Sequence, residues 1–177
     1  IMKLKRAAII AALVLISVLP SAGAAQDLQS LLDGRTAVLW YEGEPLGELI
    51  IGARAQFAFV YVDGKLAEAA WSDPDSPEWL KTNTSFFGGR ETRKKALFII
   101  RVRTIKNLSL DLSMISIGDR ALSPGDLLTN KHLAPLGDLP PGLTAELAVA
   151  VPRQAIKGEK IRLSVGEYEA VLELPKR

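Results

Sequence analysis

Cysteine is absent from this sequence, and histidine occurs only once, as His132 in the segment LLTNKHLAPLG. Without cysteine the chain has no disulfide framework and no thiol nucleophile. A hydrolytic triad needs a base and an orienting acid around a nucleophile, and no G-x-S-x-G segment accompanies His132. Zinc sites normally combine several His or Cys ligands. We therefore expect no catalytic residue, no metal site and no cofactor.

Long hydrophobic runs are also absent, except for one that extends from Ala7 to Leu19. Basic residues at positions 3, 5 and 6 precede this run, and small residues at positions 22–24 follow it. This layout is typical of a secretory signal peptide, which we assign to residues 1–24, with cleavage after Ala24 or Ala25. A spanning helix needs about 20 apolar residues, so the run is too short for a membrane anchor. An exported protein without disulfides indicates a periplasmic or secreted bacterial protein.

Neither sign of charge dominates the rest of the chain. Three of the 22 basic residues lie in the predicted signal peptide and all 20 acidic residues lie beyond it, which leaves 19 basic and 20 acidic residues. Proteins that bind nucleic acid usually present a strongly basic surface. The charge balance therefore argues against a nucleic-acid partner.

Alternation of apolar and polar residues dominates the chain after the signal peptide. Patterns of period two with one polar face are typical of antiparallel strands, and no long amphipathic helix separates them. They predict an all-β sandwich or barrel with few short helical turns, one of which covers Asp27–Leu32. The predicted strands are Thr36–Tyr41, Gly47–Ile51, Gln56–Val62, Lys65–Trp71, Ala96–Thr104, Leu108–Ile117, Leu143–Val151, Ile161–Val165 and Tyr168–Leu174.

Three details of these strands make specific predictions. Asp63-Gly64 predicts a hairpin turn between the strand that ends at residue 62 and the one that follows. In the strand over residues 96–104, one face is apolar and the other carries Arg101 and Arg103. The alternation in residues 108–117 changes phase near Met114, which predicts a bulge or a strand that changes sheets.

Three short motifs mark the C-terminal half. A polar Asn-x-Ser turn occupies Asn107–Ser109, Pro141-Gly142 precedes a strand, and that strand ends in Val151-Pro152. In this order the motifs resemble the telokin-like, immunoglobulin-like domains of bacterial exported proteins. The resemblance covers about residues 96–175 and implies an Ig-like antiparallel β-sandwich without a shared activity. We therefore expect one domain over residues 25–177, in which residues 27–95 add strands to an Ig-like core of residues 96–175.

The segment from Trp71 to Lys95, WSDPDSPEWLKTNTSFFGGRETRKK, has the most site-like composition in the chain. Exposed aromatic rings stack on sugars or anchor partner proteins, and paired carboxylates serve glycosidases. The candidate ligand-binding residues are Trp71, Trp79, Phe86, Phe87, Asp73 and Asp75. In the alternative interpretation the rings pack this connection onto the sandwich, and Ser76 caps a short helix that starts at Pro77.

Basic residues gather at the end of this segment and continue into the next strand. The candidate residues for an anionic partner are Arg90, Arg93, Lys94, Lys95, Arg101 and Arg103. Such a stripe would attract phosphate-rich envelope polymers or anionic lipid head groups. The alternative is a solvated loop followed by an edge strand that its charges protect from aggregation.

The scarcity of catalytic residue types favours a function in binding rather than in catalysis. We expect an exported envelope protein that acts as a non-catalytic binding or assembly module. Its partner would be another envelope protein or a cell-envelope polymer. A carbohydrate- or anionic-polymer-binding module that uses the Trp71–Lys95 segment is the alternative, and a small carboxylate-dependent hydrolase comes after it.

Overall fold

The computed structural model describes residues 22–175, with side chains from Asp27 onward. Most of the predicted signal peptide therefore lies outside the described residues. The helices are α1 (Ala22–Asp33), α2 (Gly64–Ser72) and α3 (Glu78–Thr84). The strands are β1 (Thr36–Tyr41), β2 (Glu44–Leu46), β3 (Leu49–Ile51), β4 (Ala55–Val62), β5 (Lys95–Thr104), β6 (Leu108–Leu110), β7 (Ile115–Ile117), β8 (Arg120–Ala121), β9 (Gly137–Leu139), β10 (Thr144–Pro152), β11 (Lys160–Val165) and β12 (Tyr168–Glu173).

Two four-stranded sheets form most of the described structure. The first sheet has the strand order β1-β4-β5-β10 and the second has the order β12-β11-β7-β8. The pairs β2–β3 and β6–β9 form two smaller sheets, and the strand pairs are antiparallel. The expectation of a mostly β, antiparallel fold is thus confirmed. The first sheet combines β1 and β4, which lie within residues 27–95, with β5, which begins at Lys95, and β10, which lies within residues 96–175.

One hydrophobic core lies between the inner faces of the two main sheets. The first sheet contributes alternate residues of β5, among them Phe98 and Ile100, and the second contributes residues such as Ile117 and Leu163. These side chains are fully buried. Apolar surface removed from water stabilises the fold by about 25 cal/mol per Å², so this shared core holds the two sheets together.

A second core lies on the opposite face of the first sheet, where the three helices cover it. Leu97 and Ile99 of β5 are buried there, together with Leu66 of α2 and Leu80 of α3. The predicted polar face of β5 is therefore polar only near its end, at Arg101 and Arg103. A strand that is buried on both faces does not alternate apolar and polar residues. The sequence predicted only short helical turns, whereas three helices cover this face of the sheet.

The predicted hairpin at Asp63-Gly64 is wrong, because Lys65–Trp71 belongs to α2. The Asp63 carboxylate accepts a hydrogen bond from the backbone N–H of Leu66 at 2.9 Å and so caps the helix. The residues that follow are mostly alanine, leucine, glutamate and lysine, which favour helices. Leu66, Ala67 and Ala70 recur at helical spacing and are buried, so their burial also selects the helix.

The short helix predicted after Ser76 is present as α3, but its cap is different from the prediction. Pro77 is the N-cap residue, and no side chain donates or accepts a capping bond. The Ser76 hydroxyl is buried and has no hydrogen-bond partner among the described residues. The helix therefore begins one residue later than predicted.

The predicted phase change near Met114 marks a strand that changes sheets. Residues 108–110 pair with β9, and Leu112–Met114 form a 3-10 turn that Asp111 caps by accepting the N–H of Ser113. Residues 115–117 then pair with β11 in the second sheet. The turn shifts the alternation by one residue, so that Leu110 and Ile115 both face the main core.

An ion pair between Arg35 and Asp63 joins the helical layer to the first sheet. The Arg35 guanidinium donates to both carboxylate oxygens of Asp63, at 3.0 and 2.8 Å, and to the carbonyl of Leu31 at 3.1 Å. Burial opposes ionisation of Asp63, but the hydrogen bonds from Arg35 and Leu66 hold its pKa below the usual 3.8. The pair connects the end of α1 to the start of α2, and the Arg35 side chain is almost fully buried.

We expect Asp63→Asn to destabilise the protein by about 3 kcal/mol at neutral pH, because the substitution leaves the buried Arg35 charge uncompensated. The folded-state pKa of Asp63 is lowered, so its stabilising contribution is present above pH 3.8 and is lost as the pH falls through the folded-state value. Urea unfolding across a pH series measures this difference, with the exposed Asp119→Asn as control. An equal loss for both variants at neutral pH would contradict the role of the ion pair.

Candidate functional site

The four aromatic residues of the Trp71–Lys95 segment do not share one surface. Trp71, at the end of α2, is 59% exposed, and Phe87 is also exposed. Trp79 and Phe86 are half-buried and pack against the core beneath the helices. The structure therefore splits the predicted aromatic platform, with two rings toward solvent and two in the helical layer.

The half-buried Trp79 ring is also covered by Arg101, one of the predicted anion-binding residues. The guanidinium carbon lies 4.8 Å from the ring centroid, a distance typical of a cation–π contact. Arg101 also forms an ion pair with Glu146 of the neighbouring strand, with 3.1 Å between Nε and Oε1. Arg101 Nε is buried without a hydrogen-bond partner among the described residues, so its contact with Glu146 is electrostatic. Arg101 is thus engaged with the protein itself.

The acidic residues of the segment build a turn between α2 and α3. Asp73 is buried, and its carboxylate accepts the backbone N–H of Asp75 at 2.9 Å. Lys81 donates to the carbonyl of Pro74 at 3.1 Å across the same turn. Asp75 itself is exposed to solvent. The structure therefore uses Asp73 to hold the turn.

The six predicted basic residues fall into two groups rather than one stripe. Arg90, Arg93 and Lys94 are exposed in the loop before β5, and Lys95 begins that strand. Arg103 is exposed near the other end of β5, roughly 26 Å from Lys95 at about 3.3 Å per strand residue. The buried Leu97 and Ile99 lie between the two groups, beneath the helices.

A groove of about 830 Å³ lies near Phe87, at the start of α2. Its wall carries Arg35, Asp63, Lys65, Arg153 and Glu159. Arg35 and Asp63 neutralise each other, and the Asp63 carboxylate already occupies the N-terminus of α2. The groove therefore offers mixed charge and no free helix terminus to a ligand.

Four of the ten exposed large hydrophobic residues of the described chain lie in the β2–β3 hairpin, residues 44–51, where the sequence predicted one short strand over Gly47–Ile51. All six residues of the two strands are exposed, and Leu49 and Leu46 reach 66% and 64%. Ile50 and Ile51 are also exposed. No signal in the sequence reveals this exposure, because an unbroken apolar run such as Leu49–Ile51 is typical of a buried strand.

The hairpin forms because its tip suits a tight turn. Leu46 pairs with Leu49, so Gly47 and Glu48 make a two-residue loop. Gly47 has a φ of +63°, and a type II′ turn places glycine at this first position. The hairpin therefore has a defined shape even though its side chains are not covered.

The base of the hairpin is anchored by two cations from neighbouring segments. Arg54 donates to the Glu42 carboxylate and to the carbonyl of Asn107, both at 2.7 Å. Lys106 donates to the carbonyl of Gly52 at 2.7 Å. The hairpin is therefore fixed where it leaves the first sheet.

Close packing at Gly43 directs the Ile50 side chain toward the sheet. A Cβ atom at Gly43 would lie 2.7 Å from Cγ2 of Ile50 and 2.9 Å from Cβ of Trp40. Ile50 and the half-buried Trp40 thus meet over this glycine. The hairpin is continuous with the outer face of β1, where Val38 is also exposed.

The local charge of the hairpin is negative. Glu44 and Glu48 are exposed, and no lysine or arginine occurs from residue 42 to residue 53. Desolvation raises the pKa of Tyr168 above 10.0, and the carboxylates of Glu167, Glu42 and Glu44 raise it further. Tyr168 packs edge-on against Tyr41 at the end of β1, so the base of the hairpin lies in an acidic environment.

Residues 22–175 contain neither a cluster of metal-ligating side chains nor a helix that could span a membrane. No three His, Asp or Glu side chains converge there as metal ligands. Among the helices of this range, none is both long and apolar enough to cross a lipid bilayer. His132 lies exposed in a turn, where its own backbone N–H donates to Asn130.

No protein-family model, curated protein or solved structure matches this chain. The resemblance of residues 96–175 to telokin-like domains therefore stays a prediction. Among the described residues, the β2–β3 hairpin gathers four exposed apolar side chains, and the Trp71–Lys95 segment contributes Trp71 and Phe87.

We expect Trp71 to account for most of the acrylamide-accessible tryptophan emission, because the chain has three tryptophans and both Trp40 and Trp79 are half-buried. Trp71→Phe should shift the emission to the blue and reduce the quenching constant. Trp79→Phe is the matched control and should leave the quenchable fraction in place. A larger loss of quenching in the Trp79 variant would contradict the described packing of α3.

Proposed function

We propose that this chain is an exported bacterial envelope protein that acts as a non-catalytic binding or assembly module on an Ig-like β-sandwich. The N-terminal pattern of basic, apolar and small residues supports export. The shared core between two antiparallel sheets and the motifs of the C-terminal half support the Ig-like sandwich. Domains of this kind bind through loops, faces and edges of their sheets.

The observation that carries the proposal is the exposure of the β2–β3 hairpin. A two-stranded hairpin is marginally stable by itself in water, and exposed apolar patches on soluble proteins mark interaction sites. Leu46, Leu49 and Ile51 together leave water only if another molecule covers them, because the rest of the described chain does not reach them. The hairpin is therefore the expected contact with a partner in the envelope.

A polymer-binding module that uses the Trp71–Lys95 segment is the second candidate. The exposure of Trp71 and Phe87, close in sequence to Arg90 and Arg93, favours it. The packing of Trp79 and Phe86 reduces the ring area that could stack on a sugar. The hydrolase candidate has the least support, because Asp73 is buried within its own turn.

Site-specific crosslinking separates these candidates, since the absence of cysteine lets one introduced cysteine carry a photoreactive group. In cells of the source bacterium we expect a discrete protein adduct from Leu49→Cys, and none from Val171→Cys on the second sheet, which is similarly exposed. The adduct should disappear when Leu46→Ser and Ile51→Ser are added.

Two other results of this experiment have definite meanings. An adduct from Trp71→Cys but not from Leu49→Cys would transfer the binding site to the Trp71–Lys95 segment. Equal labelling from Leu49→Cys and Val171→Cys would contradict a specific contact at the hairpin and, with it, the proposed function.

A further inference from the structure

We propose that the β2–β3 hairpin binds a basic, extended segment of another protein, which adds to the hairpin as a further strand. This inference rests on the proposed function and names the chemistry of its partner. It depends on three properties of the hairpin, namely the open edge of β3, the exposed aliphatic side chains and two carboxylates that form no ion pair within the described residues.

The strand edges come first. Within the described part of the chain, β2 pairs only with β3, and β3 pairs only with β2. Pro45 interrupts the outer row of β2, because proline has no N–H to donate. β3 contains no proline and keeps an outer row of backbone N–H and C=O groups that can accept another strand. Addition of an extended segment satisfies such a row and is a recurring mode of peptide recognition.

The side chains supply the apolar part of the contact. Leu46, Leu49, Ile50 and Ile51 are all exposed, so aliphatic side chains on an added strand would find apolar neighbours. Cross-strand contacts between aliphatic side chains stabilise a sheet. The added strand would also raise the number of strands from two to three, at which a hairpin becomes independently stable.

Charge selects the partner. Among residues 22–175 no ion pair involves Glu44 or Glu48. Two cations contact the base of the hairpin: Arg54 donates to Glu42 and to the carbonyl of Asn107, and Lys106 donates to the carbonyl of Gly52. The hairpin therefore presents two free carboxylates beside its aliphatic residues, which complement lysine or arginine on the partner.

The same charge disfavours the other occupants of an apolar hairpin. Two copies of this hairpin would bring together surfaces that carry the same two carboxylates, and like charges disfavour such an association. A membrane surface rich in anionic lipid would repel both carboxylates. A basic protein segment is the occupant that both the apolar and the charged residues fit.

The test uses a short synthetic peptide that alternates lysine and valine, with fluorescence anisotropy of the labelled peptide as the readout. We expect binding at low salt that weakens as salt is added, since exposed charges are screened. The Glu44→Gln, Glu48→Gln double variant should lose about tenfold or more in affinity. The Leu46→Ser, Leu49→Ser double variant should lose binding as well.

Matched control variants test whether these losses of peptide affinity are specific to the hairpin. Asp119→Asn with Asp138→Asn removes two exposed carboxylates elsewhere, and Leu133→Ser with Val171→Ser removes two exposed apolar side chains elsewhere. Both controls should bind as the unmodified protein does. Because every substituted side chain is exposed, thermal unfolding should confirm that all four variants remain folded.

Several outcomes would overturn the inference. These are absence of peptide binding, equal binding of a peptide that alternates glutamate and valine, or no effect of the Glu44→Gln, Glu48→Gln change. Hairpin-dependent binding to phosphatidylglycerol vesicles, or a hairpin-dependent dimer in sedimentation equilibrium, would assign the surface to a different occupant. If the Leu49→Cys crosslink persists in any of these cases, the proposed function stands and only the partner chemistry is wrong.

Discussion

Burial of the first sheet on both of its faces is the constraint on which the rest of the structure depends. β5 contributes Phe98 and Ile100 to the core between the sheets, and Leu97 and Ile99 to the core beneath the helices. Two cores thus share one set of strands, so neither can loosen without disturbing the other. The second sheet and the three helices are arranged around this layer.

This arrangement also explains why the hairpin is exposed. The helices cover the part of the outer face that holds Leu97 and Ile99, and the ion pair of Arg35 with Asp63 fixes where α2 begins. The hairpin leaves the first sheet at the end of β1, beyond the helical layer. Arg54 and Lys106 hold its base in place. A rigid body therefore presents a small apolar and acidic element whose own stability is marginal.

The strands of the second half could be predicted from the sequence because each has one polar face. β11 and β12 keep a clear alternation, since their outer faces carry charges such as Arg162 and Glu169. The change of sheet near Met114 could also be predicted, because a shift of one residue moves each apolar side chain of a strand to the opposite face. The alternation of apolar and polar residues was therefore sufficient to predict these strands.

The first half could not be predicted in the same way, because distant contacts decide its structure. Lys65–Trp71 is apolar enough for either a strand or a helix, and its capping residue Asp63 is held by Arg35 from a segment 28 residues earlier. Trp71 and Trp79 look alike in the sequence, but their exposure depends on which sides of α2 and α3 pack on the sheet. The run Leu49–Ile51 reads as a buried strand because the sequence does not show that no layer covers it.

Hydrogen exchange of the purified protein tests most directly whether the hairpin is an element separate from this doubly buried sheet. The amides of β5 from Leu97 to Ile100 should exchange most slowly, with the free energy of global unfolding. The amides of β2 and β3 should exchange by local opening, orders of magnitude faster. Protection of the hairpin equal to that of β5 would show that it is a stable part of the body, and would contradict the account of it as a surface that awaits a partner.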